Sequence, residues 1–184
     1  MTLAPRPWAA ELLHVWFGML GPADWYGGGQ RVDSMLERRF AREWEMLHHR
    51  PASDFFDDPR SALAAVLLFD QVPRNLFRYS ARAFASDPLA RAIVHGMMRR
   101  GWDRRLTLAG RQFAYMPLMH SEDIADQRLS LAMFARLPRR YGLPFARSHY
   151  RVISRFGRFP HRNEKLGRRS TPAELKAVAQ GAAW

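Results

Sequence analysis

Three short segments of the chain combine hydrogen-bonding and charged side chains with strongly apolar neighbours. They lie at residues 70–75, 120–123 and 158–163. Polar groups near a hydrophobic core are costly unless they are paired, so segments of this kind are candidates for a functional site. We expect the three segments to converge on one pocket that binds a small polar ligand, and their arginines favour an anionic one.

The residue types suggest a role for each side chain in this pocket. Arginine guanidinium groups bind carboxylates and phosphates through paired hydrogen bonds, while histidine and glutamate exchange protons. Acid/base or hydrolytic chemistry with Glu122 or His161 as the base is therefore expected if the protein is an enzyme. The candidate catalytic residues are His120, Glu122 and His161. The candidate ligand-binding residues are Asp70, Arg74, Asn75, Asp123, Arg158, Arg162 and Asn163.

Each of the three segments also has a structural interpretation. The serine and two acidic residues at 121–123 suit the N-terminus of a helix. Residues 70–75 have the composition of a turn at the end of a helix, and residues 158–163 suit an ion-pair network. His149 lies on an apolar helix face, which favours a buried core histidine that could orient His161.

The sequence offers little support for a bound metal. It contains no cysteine, which excludes disulfides, thiolate zinc sites and cysteine-ligated iron–sulfur clusters. The Glu-x-x-His pairs Glu11/His14 and Glu45/His48 have the spacing found in di-metal helical bundles. Because Glu45 and His48 flank the apolar stripe of their helix, a solvated surface is the favoured interpretation. We assign no metal ligands, and the sequence identifies no cofactor.

The charge balance is strongly basic. The 184 residues include 29 Lys and Arg against 17 Asp and Glu, a formal net charge of +12. The basic pairs are scattered along the chain, which disfavours nucleic-acid binding through an Arg-rich surface. No apolar run reaches the roughly 18 residues of a membrane helix. Residues 1–10 lack the pattern of a signal peptide. We expect a soluble cytoplasmic protein without membrane contact.

Helix signals dominate the rest of the sequence. We predict an all-α fold of about seven or eight helices in a single domain, residues 1–184, with a frayed tail at 180–184. A loop is expected at residues 18–29, and Pro73 and Pro117 are expected to end the helices that precede them. Asp57 or Asp58 is predicted to cap the helix that begins at Pro59, and Ser121 the helix that runs to about Arg136. A capping box of Thr171 and Glu174 is predicted to begin the last helix. The predicted helices span residues 7–17, 31–49, 59–70, 87–100, 108–116, 121–136 and 145–156, and a short last helix begins at residue 172.

Several motifs resemble the bacterial domain-of-unknown-function family 924. They are LLFDQVPRN at 67–75 with ARAF at 81–84, YMPLMHSED at 115–123 with DQ at 126–127, RFGRFPHRN at 155–163, WFG at 16–18, Trp25 and LGR at 166–168. The sequence departs from the family pattern at Val72 and Lys165. The resemblance implies a tetratricopeptide-like fold of antiparallel helices and no established activity. Because such folds commonly bind a peptide or partner protein, a non-enzymatic interaction module is the alternative function.

Overall fold

The computed structural model describes residues 6–181, which fold into helices without any strand. The α-helices are α1 (Pro7–His14), α2 (Pro22–Gly27), α3 (Gln30–Leu47), α4 (Pro59–Val66), α5 (Val72–Leu76), α6 (Asp87–Arg99), α7 (Leu108–Met119), α8 (Ile124–Phe134), α9 (Leu143–Phe156) and α10 (Pro172–Ala179). The predicted all-α class is confirmed. The described residues hold more helices than predicted, partly because α4 and α5 are two parts of one continuous rod.

The hydrophobic core surrounds α4. All residues from Ala62 to Val66 are buried, as expected for a central helix, and α4 packs against α1, α6 and α7. Helix α3 contributes the predicted apolar stripe through Val32, Leu36 and Phe40, which are buried in the same core. A smaller apolar cluster joins α9 to the segment that follows it.

Two prolines lie inside helical rods instead of ending them, which corrects the prediction. The π turn Leu67–Gln71 connects α4 to α5, and Pro73 lies in the first turn of α5. Proline has no N–H to donate to the Phe69 carbonyl oxygen four residues earlier, and the Ser86 hydroxyl donates to that oxygen at 2.7 Å instead. Pro117 lies within α7, which continues to Met119, because its ring removes only one hydrogen bond close to the helix end.

The segment at residues 18–29 is not a simple loop, which is a second correction. It contains the short helix α2, whose Asp24 carboxylate accepts a hydrogen bond from the Gly21 N–H at 3.2 Å. Gly28 and Gly29 then have φ angles of +59° and +118°, which favour glycine. The glycine run therefore reverses the chain and places α2 at the mouth of the cavity described below.

Helix caps agree with the sequence at two helices and differ at a third. Asp58 caps α4, and the capping box of Thr171 and Glu174 begins α10, as predicted. Asp123 rather than Ser121 caps α8, because the Ser121 hydroxyl accepts a hydrogen bond from the Asp123 N–H instead.

Two further expectations concern the chain end and membranes. Of the tail predicted to fray, residues 180–181 form a turn after α10, and residues 182–184 lie outside the described residues. Between residues 6 and 181, no helix combines the length and the hydropathy that a membrane crossing requires.

Candidate functional site

A cavity of about 670 Å³ lies among α2, α5, α7, α9 and the segment after α9. The predicted site residues that line it are Arg74, Asn75, His120, His161 and Arg162. Its other lining residues are Trp25, Tyr26, Gly28, Gln71, Arg78, Tyr79, Ala83, Phe84, Gln112, Met116, Met119, Phe134, Gly142, Phe145, His149 and Lys165. All three predicted segments thus contribute to one cavity, and none of the described lining residues is acidic.

Asp70 and His120 form a pair at the cavity wall. Asp70 belongs to the π turn Leu67–Gln71 and is fully buried, and its two carboxylate oxygens lie 2.8 and 3.0 Å from Nδ1 of His120. Burial alone raises the pKa of Asp70, but the charges of Arg74 and His120 outweigh it and lower the pKa. Burial is also the main cause that lowers the pKa of His120. Nδ1–H therefore donates to an ionised carboxylate, and Nε2 is the basic nitrogen of this ring.

Two arginines of the cavity share the carboxylate of Asp87. Arg74 donates to it from Nη1 and Nη2 at 2.9 and 3.1 Å, and Arg162 donates from Nη1 at 3.3 Å. Arg74 also lies 3.4 Å from Asp70. Nε of Arg162 is buried and has no hydrogen-bond partner among residues 6–181. Burial lowers the pKa of Arg162 to about 10, and the charge of Arg74 adds to this effect.

Three cations surround the ring of Phe84. Its centroid lies 4.6 Å from Cζ of Arg162, 5.7 Å from Cζ of Arg74 and 5.9 Å from Nζ of Lys165. The carboxylates that pair with this group are Asp70 and Asp87, so three positive charges face two negative ones. The cations line the cavity and the carboxylates do not, which leaves the excess positive charge on the cavity side.

Two further histidines extend this wall of the cavity. His149 is buried, as predicted, with Nδ1 2.8 Å from the Phe145 carbonyl oxygen and its ring centroid 6.0 Å from that of His120. Burial lowers the pKa of His149 to about 3 and the pKa of His161 to about 4. Both rings are therefore neutral near pH 7. Nδ1 of His161 is buried and accepts or donates no hydrogen bond within the described part of the chain.

Glu122 and Arg158 lie outside the cavity lining and are engaged in ion pairs. The Glu122 carboxylate accepts hydrogen bonds from the Phe159 N–H at 2.7 Å and from two nitrogens of Arg168 at 2.7 and 2.9 Å. Arg158 donates to both oxygens of Glu174 at 2.6 and 2.9 Å. The first pair fastens the segment after α9 to the connection between α7 and α8, and the second fastens it to α10.

Asp123 and Asn163 also lie outside the lining, whereas Asn75 belongs to it. Asp123 caps α8, and the Asn163 amide donates to the Ser170 hydroxyl at 3.0 Å. The Asn75 amide donates to the Gln71 carbonyl oxygen at 3.1 Å, which holds its side chain against α5. Of the predicted residues, Arg74, Asn75, His120, His161 and Arg162 therefore line the cavity, and Asp70 contacts His120 from behind the lining.

The two Glu-x-x-His pairs form separate surface contacts. Glu11 pairs with Arg39 at 3.0 Å, and Glu45 pairs with Arg82. The exposed contact of Glu45 agrees with the solvated-surface interpretation of Glu45 and His48. Within residues 6–181, no group of three or more histidine, aspartate or glutamate side chains is arranged to hold a metal ion.

Several residues that complete the site carry no clear signal in the sequence. Asp87, which pairs with both arginines, appears there only as the start of a helix. Tyr26 lies in the segment expected to be a loop, and Gln112 and Met116 lie on a helix whose apolar surface is nearly continuous. The motif at residues 81–84 could have pointed to Phe84, but not to its three cationic neighbours.

These features define a class of protein, an all-helical fold with a cationic, histidine-lined cavity. The chain belongs to the family described as "Bacterial protein of unknown function (DUF924)", whose family model matches residues 12–182. It is similar to the solved structure of a protein of unknown function, ATU0120, from Agrobacterium tumefaciens, with 36% identity, 94% of this chain and 97% of that chain covered, and a TM-score of 0.88. No curated protein matches. The resemblance seen in the motifs is thus confirmed, and no activity comes with it.

Proposed function

We propose that the protein binds a small anionic molecule in the cavity. The observation that carries the proposal is the excess positive charge around Phe84, where three cations face two carboxylates. A carboxylate or phosphate placed there would supply the missing partner of Arg162, whose guanidinium is buried with a single long hydrogen bond. Hydrogen bonds between guanidinium and such anions are among the strongest in proteins.

The same cavity supports proton transfer at His120. Asp70 is a positioning residue that holds Nδ1–H, so that Nε2 can accept a proton from a ligand or from a water molecule. The lining has no serine, threonine or cysteine among the described residues. That composition favours acid/base chemistry over a covalent intermediate on serine, threonine or cysteine. His161 is the second candidate for this role because its ring lines the same wall.

The test is the shift in melting temperature that small anions produce at constant ionic strength. The panel contains phosphate, acetate and larger organic carboxylates, and sodium chloride gives the baseline for a protein of net charge +12. We expect at least one anion to raise the melting temperature above that baseline. Its affinity should fall at least tenfold in Arg162→Met and remain unchanged in Arg151→Met, an exposed arginine of α9.

Because Arg162 is buried, Lys165→Met provides a second variant at an exposed position of the same group. We expect it to fold normally and to weaken anion binding severalfold. The proposal fails if no anion exceeds the chloride baseline. It also fails if Arg162→Met, Lys165→Met and Arg151→Met all bind the anion like the unmodified protein.

The two other predicted functions depend on the outer surface. Arginines at positions 6, 31, 39, 50, 78, 82, 91, 158 and 168 form ion pairs within the fold. This pairing favours the interpretation of the basic charge as solvated surface over a nucleic-acid interface. Binding of a partner protein stays a prediction, for which the described surface offers no specific observation.

A further inference from the structure

We infer that the ligand is an organic monoanion, a carboxylate joined to an aromatic or apolar body. This inference rests on the proposed function and specifies the class of molecule that the cavity takes. Three observations carry it: the cavity is polar at one end and aromatic at the other, an exposed ring pair lies at the aromatic end, and one positive charge is in excess at the polar end.

The polarity of the cavity changes along α7. Gln112, Met116 and His120 are spaced four residues apart, so they follow one face of the helix over about 12 Å. Gln112 contacts Tyr26 at one end of this face, and His120 contacts Asp70 at the other. A ligand that follows the wall therefore passes from an aromatic to a cationic environment.

Helix α9, which also lines the cavity, repeats this order. Phe145 lies at the aromatic end, where its ring pairs with Tyr26, and His149 follows one helical turn later, close to His120. Both α7 and α9 pass from aromatic contacts to a histidine in the same direction. The change in polarity is therefore a property of the cavity and not of one side chain. The gradient matches an amphipathic molecule and not a bare inorganic ion.

The aromatic end is built from two exposed rings, one of which is held by a hydrogen bond. Tyr26 and Phe145 are 56% and 55% exposed, with ring centroids 6.4 Å apart and an interplanar angle of 14°. The Tyr26 hydroxyl accepts a hydrogen bond from the buried amide of Gln112. Parallel exposed rings offer stacking surface to a flat apolar group, and Met116 offers a wall that adapts its shape.

The polar end carries one uncompensated positive charge. Arg74, Arg162 and Lys165 face Asp70 and Asp87, and both His149 and His161 are neutral near pH 7. One carboxylate restores neutrality. A phosphate monoester carries between about 1.5 and 2 negative charges at pH 7 and would exceed it. The charge count therefore selects a monoanion.

The experiment compares four probes that differ in one feature each, by titration calorimetry of the full chain at pH 7.5 and fixed ionic strength. They are 3-phenylpropionate, propionate without the ring, 3-phenyl-1-propanol without the charge, and 3-phenylpropyl phosphate with a dianionic group. We expect 3-phenylpropionate to bind most tightly and each of the other probes at least tenfold more weakly. Quenching of the fluorescence of Trp25, which lines the cavity, gives an independent readout.

Variants assign the two ends of the ligand. Phe145→Ala should weaken the binding of 3-phenylpropionate at least fivefold and leave the binding of propionate unchanged, because only 3-phenylpropionate reaches the ring pair. Leu175→Ala, at an equally exposed apolar position of α10, is the matched control and should bind like the unmodified protein. Arg162→Met should weaken the binding of both 3-phenylpropionate and propionate.

The outcomes separate this inference from the proposed function. If propionate binds as tightly as 3-phenylpropionate and Arg162→Met weakens both, the aromatic body is refuted while anion binding stands. If the phosphate ester binds most tightly, the monoanion is refuted while anion binding again stands. If no anion binds, or if the alcohol binds as tightly as the acid, both proposals fall.

Discussion

Both oxygens of the Glu122 carboxylate accept hydrogen bonds from the segment after α9, through the Phe159 N–H and the Arg168 guanidinium. Burial alone raises the pKa of Glu122, but the hydrogen bonds from Arg168 and Phe159 outweigh it and lower the pKa. A carboxylate held in this way is a poor base near neutral pH. Its effect on the site is indirect, because it fixes the segment that carries Arg162.

We predict that Glu122→Gln lowers the free energy of unfolding by about 1–2 kcal/mol, since an amide cannot accept both hydrogen bonds of the Arg168 fork. The dissociation constant of the anion should change less than threefold. Urea denaturation and calorimetry measure the two quantities, with Glu164→Gln at an exposed position of the same segment as the control. Unchanged stability together with lost anion binding would instead return Glu122 to the site.

At the scale of elements, α6 packs closely on the segment after the 3₁₀ turn Ala52–Phe55. A Cβ atom on Gly96 would lie 2.0 Å from Cζ of Phe56, and the guanidinium of Arg100 covers the same ring at 4.1 Å. Alanine in a helix gains about 1 kcal/mol over glycine, but displacing a packed ring costs about 1–3 kcal/mol. We predict that Gly96→Ala lowers the free energy of unfolding in urea by about 1 kcal/mol.

The ring itself supplies the control for this prediction. In a Phe56→Ala background the clash is absent, so Gly96→Ala should become neutral or stabilising there. The difference between the two backgrounds measures the contact directly. Equal effects of Gly96→Ala in both backgrounds would show that the Phe56 ring moves aside freely.

The sequence predicts those elements that a single local rule governs. The apolar period of α3 and the capping box of Thr171 and Glu174 are such cases, and both appear in the structure as expected. The prediction for Pro73 was wrong because the rod continues through a π turn, and the Ser86 hydroxyl replaces the hydrogen bond that proline cannot donate. Local composition does not reveal a π turn, although this one carries Asp70.

The site was predictable in part for a related reason. The sequence identifies His120, His161 and Arg162 by type, because polar residues among apolar neighbours are conspicuous. It does not give distances between helices, so the pairing of Asp87 with Arg162, 75 residues along the chain, could not be derived. The same limit applies to Glu122, whose type suits catalysis but whose neighbours make it structural.

At the scale of the whole molecule, the cavity histidines make the stability of the fold depend on pH. Burial lowers the pKa of His149 from 6.5 to about 3 and the pKa of His161 from 6.5 to about 4. Between these values and 6.5 the unfolded chain binds more protons than the folded one. The free energy of unfolding therefore rises with pH in this range. The stability that the neutral histidines contribute is lost as the pH falls from about 6.5 towards 4.

His120, His161 and Arg162 oppose the protonation of His149, whereas the Phe145 carbonyl oxygen favours it, and burial outweighs that contact. We predict that His149→Gln reduces the dependence of unfolding free energy on pH between 6 and 4.5 by up to about 1.4 kcal/mol per pH unit, the value for one proton. Urea denaturation at a series of pH values measures this slope, and His14→Gln on the exposed face of α1 should preserve it. If His149→Gln has the slope of the unmodified protein, His149 is not a neutral buried group, and the charge count at the polar end of the cavity must include it.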